Sequence, residues 1–166
     1  MIQNEFGTSV DTSNIKIYNK NFVPEVPLSP FNNQTMAPNG NIYYGDTSKF
    51  SEDFSQEKLP AKATFIHEIA HIQQTQDGKG NLIDNKLAGL VTGGSYDPND
   101  RLQRDQQGNV TSDWDDFNIE QKATLVEGRY VLKEQGPLRK RNQNNGQITL
   151  DLSNFTTGDF DAIIPF

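Results

Sequence analysis

The two histidines of this 166-residue chain lie four residues apart, in the motif His67-Glu68-Ile69-Ala70-His71. On a helix, this spacing projects both imidazoles from one face, about one turn apart. Two ring nitrogens placed in this way can reach a single Zn²⁺ at about 2.0–2.1 Å. Glu68 points to a neighbouring angle, where it can take a proton from a metal-bound water more easily than it can bind the metal. The pattern therefore predicts a catalytic zinc site in which Glu68 is the general base.

A catalytic zinc site needs a third protein ligand and one open position. The chain has no cysteine and no third histidine, so the third ligand must be a carboxylate unless a partner chain supplies it. Glu120 lies in the first turn of a second predicted helix, and the small residues Ala123 and Thr124 on its face would let another helix approach closely. We predict Glu120 as the third ligand. Glu127, seven residues further on and on the same face, is the alternative.

Two helices are predicted to carry these residues. The first runs from Ala61 to about Gln76, with Pro60 in its first turn and the helix-ending pair Asp77-Gly78 behind it. The second begins with a cap among residues 116–118 and ends near residue 135. Each helix also has a non-functional interpretation. The histidines of the first helix would then be partly exposed residues without a metal, and the glutamates of the second would be solvated carboxylates.

The remaining chain alternates short strands with long irregular segments. Strands are predicted at Ile15–Tyr18, Asn41–Tyr44 and Gln147–Leu150. Residues 22–41 and 77–113 read as long loops rich in turn-forming residues.

A short helix is predicted near Leu82–Leu90, and the apolar tail 163–166 is predicted to pack on the core. The fold class is therefore α+β, with a short antiparallel sheet and long loops. We predict a flexible segment over residues 1–14, followed by one domain over residues 15–166.

Composition excludes several functions. The formal net charge is -7 and no Lys/Arg-rich block offsets it, so nucleic acid is not expected as a partner. The absence of cysteine excludes disulfides and thiolate metal sites. The N-terminal residues lack the basic and apolar regions of a signal peptide, and no apolar run reaches the roughly 20 residues of a membrane span.

Ten residues around the motif, Phe65 to Gln74, together with residues 117–123, resemble gluzincin-like HExxH metallopeptidase domains. These domains occur alone or fused to the Vgr-type and Rhs-type proteins of bacterial type VI secretion. The segment from Met36 to Tyr44 is similar to the one that precedes their metal helix, and the resemblance spans about residues 10–135.

The resemblance implies a small zincin-like domain whose Zn²⁺ is held by His67, His71 and Glu120, with Glu68 catalytic. It also implies an antibacterial effector toxin, made in the cytoplasm and delivered into a competing cell. The partners to expect are a secretion-apparatus carrier, a protein or peptide substrate, and a cognate immunity protein.

The predicted reaction is hydrolysis of a peptide bond, in which Glu68 activates the zinc-bound water and then protonates the leaving amine. A second donor should stabilise the oxyanion, and the candidates are Tyr96, Tyr130 and Arg129, although a structural role is the favoured interpretation for each. One alternative function is a peptidoglycan peptide hydrolase that uses the same metal. The other is a non-catalytic binding module that retains a metal.

Overall fold

The structure is a computed structural model that describes residues 1–22, 32–78, 96–134 and 152–166. The helices in these ranges are α1 (Ile2–Phe6), α2 (Leu59–Gln76), α3 (Ile119–Lys133) and α4 (Thr157–Ile163). The strands are β1 (Ile17–Tyr18), β2 (Thr35–Met36) and β3 (Ile42–Tyr44), and short 3-10 turns lie at Thr47–Lys49, Phe54–Gln56, Pro98–Asp100 and Trp114–Asp116. The predicted α+β class is confirmed.

Helix α2 forms where the sequence predicts it. Pro60 lies in its first turn, where the missing N–H of proline is not needed. The helix ends at Gln76 with Asp77 as its C-cap, and Gly78 follows with φ 71°, a left-handed conformation that glycine adopts without strain. Its buried residues include Ile66, Ile69 and Ile72, so α2 runs through the core.

Helix α3 begins with a reciprocal capping box. The Asn118 side chain accepts a hydrogen bond from the Gln121 N–H at 2.9 Å, and the Gln121 side chain accepts one from the Asn118 N–H at 3.0 Å. The cap fixes the helix start, which places Glu120 in the first turn as predicted. Ala123 and Thr124 are fully buried where α3 packs against α2, so the predicted close approach of the two helices is confirmed.

The sheet has three strands in the order β1-β3-β2. β1 pairs with β3 in parallel, with Ile17 opposite Ile42, and β2 pairs with β3 antiparallel, with Thr35 opposite Tyr44. The prediction of an antiparallel sheet is therefore wrong for one of its two pairings. The two-residue strand β2 was not predicted, because it is too short to show a period-2 pattern.

The first fourteen residues, predicted to be flexible, contain α1. Phe6 is buried and its ring stacks on Phe166, with 5.4 Å between the ring centroids. Glu5 is buried as well and pairs with Arg129 of α3. The C-terminal tail packs on the core as predicted, with Ile163 and Ile164 buried.

The core lies between α2, α3, the sheet and the C-terminal segment. It is built from aliphatic and aromatic side chains that include Phe6, Ile42, Tyr44, Ile66, Ile69, Ile72, Leu125, Val126 and Phe160. In the four described ranges, no helix has the length and apolarity to cross a bilayer. The short helix predicted near Leu82–Leu90 and the strand predicted at Gln147–Leu150 lie outside the described residues.

Candidate metal centre

Three side chains with metal-ligating atoms meet between α2 and α3. The Nε2 atom of His67 lies 3.5 Å from Oε2 of Glu120, and the Nε2 atom of His71 lies 3.3 Å from the same oxygen. One ligand atom from each residue lies within 4.8 Å of the other two. The structure therefore brings together the three residues that the sequence proposed as ligands, and they form a group that could hold a metal ion.

The spacing of these atoms fits a tetrahedral cation. Ligands held at about 2.0–2.1 Å along tetrahedral directions lie roughly 3.3–3.4 Å from one another. The two distances to Glu120 Oε2, 3.3 and 3.5 Å, are close to this value. His71 Nε2 is also buried without a hydrogen bond in the described part of the chain, which is uncommon for a polar atom unless an ion or water belongs there. Two imidazoles and one carboxylate are a donor set that suits a divalent transition metal.

Glu127, the alternative ligand, contacts the other nitrogen of the His67 ring. Its Oε2 lies 3.1 Å from His67 Nδ1, so an Nδ1–H can donate to Glu127 while Nε2 faces Glu120. Ligand histidines in metal sites commonly donate their second ring N–H to a carboxylate in this way. The structure thus places Glu127 where it orients an imidazole, and Glu120 where it meets both imidazoles.

The same contacts change the protonation of His67. Burial acts to lower the pKa of this imidazole, but the hydrogen bonds to Glu120 and Glu127 and the charges of Glu127 and Glu68 outweigh burial and raise the pKa to about 10. In the metal-free protein, these carboxylates therefore hold a proton on the ring at neutral pH. A cation bound by His67 Nε2 would replace the proton on that nitrogen, so metal binding would release a proton.

Glu68 is buried beside the ligand group and is not part of it. Its Oε2 makes no hydrogen bond within the described residues. Tyr44 of β3 is its neighbour: burial raises the pKa of the Tyr44 hydroxyl, and the negative charge of Glu68 raises it further. A buried carboxylate with an uncommitted oxygen next to a cation site is suited to accept a proton.

The structure bears differently on the three residues considered for oxyanion stabilisation, Arg129, Tyr130 and Tyr96. Arg129 is engaged elsewhere, because its guanidinium donates to the Glu5 carboxylate and, at 2.8 Å, to the backbone oxygen of Phe166. Burial raises the pKa of Tyr130, and the charges of Glu134 and Glu5 raise it further, so the charges that act on this hydroxyl come from outside the ligand group. The role suggested for Tyr96 stays a prediction.

Two residues of the site were missed in the sequence. Gln74 places Oε1 3.1 Å from His71 Nδ1, and its three-residue spacing from His71 on one helix was a signal that could have found it. Tyr44, on strand β3, lies near enough to Glu68 for the charge of that carboxylate to raise the tyrosine pKa, and no local sequence pattern predicts this proximity.

Fold and site together define a small α+β domain in which two core helices bring two histidines and a glutamate into a group that could hold a metal ion. No family model matches the chain. It is 29% identical over 156 residues to the type VI secretion system spike protein VgrG2b of Pseudomonas aeruginosa, a match that covers 92% of this chain and 14% of that protein. Its fold is similar to the solved effector domain of Pseudomonas aeruginosa VgrG2b, with a TM-score of 0.61, 28% identity, and coverage of 80% of this chain and 69% of that one.

The chain thus spans a small part of the spike protein's length and most of the separately solved effector domain. The resemblance to a Vgr-related effector, inferred from the residues around the motif, is confirmed by these similarities.

Proposed function

We propose that this chain is a zinc-dependent metallopeptidase that acts as a type VI secreted effector. The observation that carries the proposal is the convergence of His67 Nε2 and His71 Nε2 on one oxygen of Glu120, at 3.5 and 3.3 Å. Next to this group lies the buried carboxylate of Glu68, with one oxygen free of hydrogen bonds in the described residues. Two imidazoles and a carboxylate with an adjacent glutamate are the parts required for metal-assisted amide hydrolysis.

His67, His71 and Glu120 would hold the zinc, and the site needs no further protein ligand to be catalytic. When bound there, zinc lowers the pKa of a coordinated water to about 7 and polarises the carbonyl of the substrate amide. The protein contributes the geometry of the site, since the packing of α2 against α3 brings the three ligand atoms together.

Glu68 carries the proton transfers. Its Oε2 accepts the proton of the attacking water as the new carbon–oxygen bond forms. The same oxygen then gives the proton to the amide nitrogen as the carbon–nitrogen bond breaks, so that the leaving group departs as a neutral amine. Because the carboxylate is buried at 4% exposure, bulk water competes little for this proton.

Delivery is proposed from the comparisons. The similar protein is a spike protein of a type VI secretion system, and the similar solved structure is its effector domain. By analogy, this chain would be made in the cytoplasm, carried by a component of such a system, and directed at a protein or peptide substrate in the target cell. An immunity protein that covers the site in the producing cell is the partner expected of such a toxin.

A single substitution tests the chemistry. Glu68→Gln keeps the shape of the side chain and removes the proton acceptor, so cleavage of casein should fall by about 10²–10⁴-fold while one zinc per chain is still bound. Glu57→Gln is the matched control, because Glu57 is an exposed residue ahead of α2. It should leave cleavage unchanged.

The same assay on purified sacculi separates a protein substrate from a cell-wall peptide. Unchanged hydrolysis by the Glu68→Gln variant contradicts the mechanism, and so does a zinc-loaded wild-type protein that cleaves neither substrate.

A further inference from the structure

One buried amide connects a ligand on α2 with the backbone of α3. Gln74 has only 2% of its surface exposed to solvent, and its Oε1 lies 3.1 Å from Nδ1 of His71. Its Nε2 donates a 3.0 Å hydrogen bond to the carbonyl oxygen of Ile119. Ile119 is the first residue of α3 and immediately precedes Glu120. The amide therefore contacts one ligand directly and the backbone beside a second ligand.

These two contacts determine which way the amide faces. A backbone carbonyl can only accept hydrogen bonds, so the group of Gln74 that faces Ile119 must be the NH₂. The amide oxygen then faces His71, and because that oxygen also only accepts, His71 Nδ1 must carry the hydrogen. In a neutral imidazole with its hydrogen on Nδ1, Nε2 has a free lone pair. That lone pair is then available to a cation held between His71 Nε2 and Glu120 Oε2, two atoms that lie 3.3 Å apart.

We propose that Gln74 is a positioning residue that sets the tautomer of His71 for metal binding and ties this ligand to the first turn of α3. The inference rests on the proposed function only in requiring that a metal binds at this group. His67 is oriented by a carboxylate, Glu127, whereas His71 is oriented by a neutral amide.

The amide has two advantages over a carboxylate at this position. A carboxylate could accept from His71, but it has no hydrogen to donate to the Ile119 carbonyl. It would also add a negative charge to a site where Glu68, Glu120 and Glu127 are already buried. Among side chains of this length, only that of glutamine can accept a hydrogen bond through its oxygen and donate one through its NH₂ group.

The first measurement needs no variant. The chain has two histidines, so nitrogen-15 NMR of the metal-free protein contains only two imidazole patterns. The proposal predicts that His71 carries its hydrogen on Nδ1. A metal-free wild-type protein in which that hydrogen resides on Nε2 overturns the proposal.

The second measurement is zinc affinity, determined by competition with a chelator. Gln74→Leu should weaken zinc binding by about 10–100-fold, the usual effect of losing a group that orients a ligand. Gln74→Glu keeps an oxygen acceptor for His71 and should lose less affinity than Gln74→Leu. Gln73→Leu is the matched control, since Gln73 is a neighbouring buried amide that donates to Asp77 at 2.5 Å. It should bind zinc as the wild type does.

Unchanged zinc affinity in Gln74→Leu overturns the positioning role. Neither readout depends on hydrolysis, so failure of the peptidase proposal with intact zinc binding leaves the role of Gln74 in place. Conversely, unchanged affinity in this variant leaves the peptidase proposal in place.

Discussion

The two glutamates of α3 that contact His67 should respond differently when each loses its charge. Glu120→Gln replaces the oxygen that lies 3.5 and 3.3 Å from the two imidazole Nε2 atoms with part of a neutral amide. Glu127→Gln replaces a carboxylate that contacts only the Nδ1 side of His67, at 3.1 Å. Both substitutions keep the size of the side chain, so helix packing should survive in each.

The expected loss of zinc affinity depends on which interaction with the site each glutamine can still make. In Glu127→Gln, the amide oxygen can accept the same hydrogen bond, and only the contribution of the charge is lost. Charge-assisted hydrogen bonds are roughly twice as strong as neutral ones, so the loss is about 1.4 kcal/mol, or about tenfold in zinc affinity. In Glu120→Gln, a direct anionic ligand is lost, and the effect should exceed the roughly 100-fold upper range for residues that only orient a ligand.

Chelator competition on the purified variants measures both effects under one set of conditions. The expected result is about tenfold weaker binding in Glu127→Gln and loss of stoichiometric binding at micromolar zinc in Glu120→Gln. If Glu127→Gln abolishes binding while Glu120→Gln leaves it near the wild-type value, Glu127 is the ligand and the assignment drawn from the distances is refuted.

Three further predictions concern stability of the metal-free protein. Gly128→Ala should destabilise the fold by about 1–3 kcal/mol in urea denaturation, because the added Cβ would clash with Cδ1 of Leu152 and lie 3.0 Å from Cζ of Phe160. Equal stability of the variant would show that these two side chains move aside without cost. Arg129→Met should cost about 3–5 kcal/mol in the same assay, since it leaves the buried Glu5 carboxylate without its main partner, and adding Glu5→Gln should recover part of the loss. The pKa of His67 rises from 6.5 to about 10 on folding, so protonation of His67 stabilises the folded state fully below pH 6.5 and less as the pH rises toward 10. A His67→Gln variant whose stability declines in the same way over this range would show that His67 is not the cause.

The helices of the site could be predicted because their signals are local. Pro60 and Gly78 mark the limits of α2, and Asn118 with Gln121 forms a capping box that marks the start of α3. Elimination predicted only the type of the third ligand, since a chain with two histidines and no cysteine completes a three-ligand site with a carboxylate unless a partner chain supplies the ligand. The choice of Glu120 over Glu127 came from its place in the first turn of the second helix, beside small residues.

The missed features depend on contacts between distant residues. Helix α1 is five residues long and is stabilised by burial of Phe6 and by the pairing of Glu5 with Arg129, 124 positions away. The parallel pairing of β1 with β3 depends on the path of the chain between them, which strand propensity does not report. The proximity of Tyr44 to Glu68 was also missed, because it too depends on residues distant in sequence.

The proposed function requires one zinc ion that binds His67, His71 and Glu120 and leaves a position open for substrate. Anomalous diffraction at the zinc edge, from crystals of the protein grown with one equivalent of zinc, tests it most directly. The expected result is a single peak about 2.0–2.2 Å from Nε2 of each histidine and from a carboxylate oxygen of Glu120, with no fourth protein ligand. A peak bound through Glu127 instead, a fourth protein ligand, or no peak at this group would contradict it.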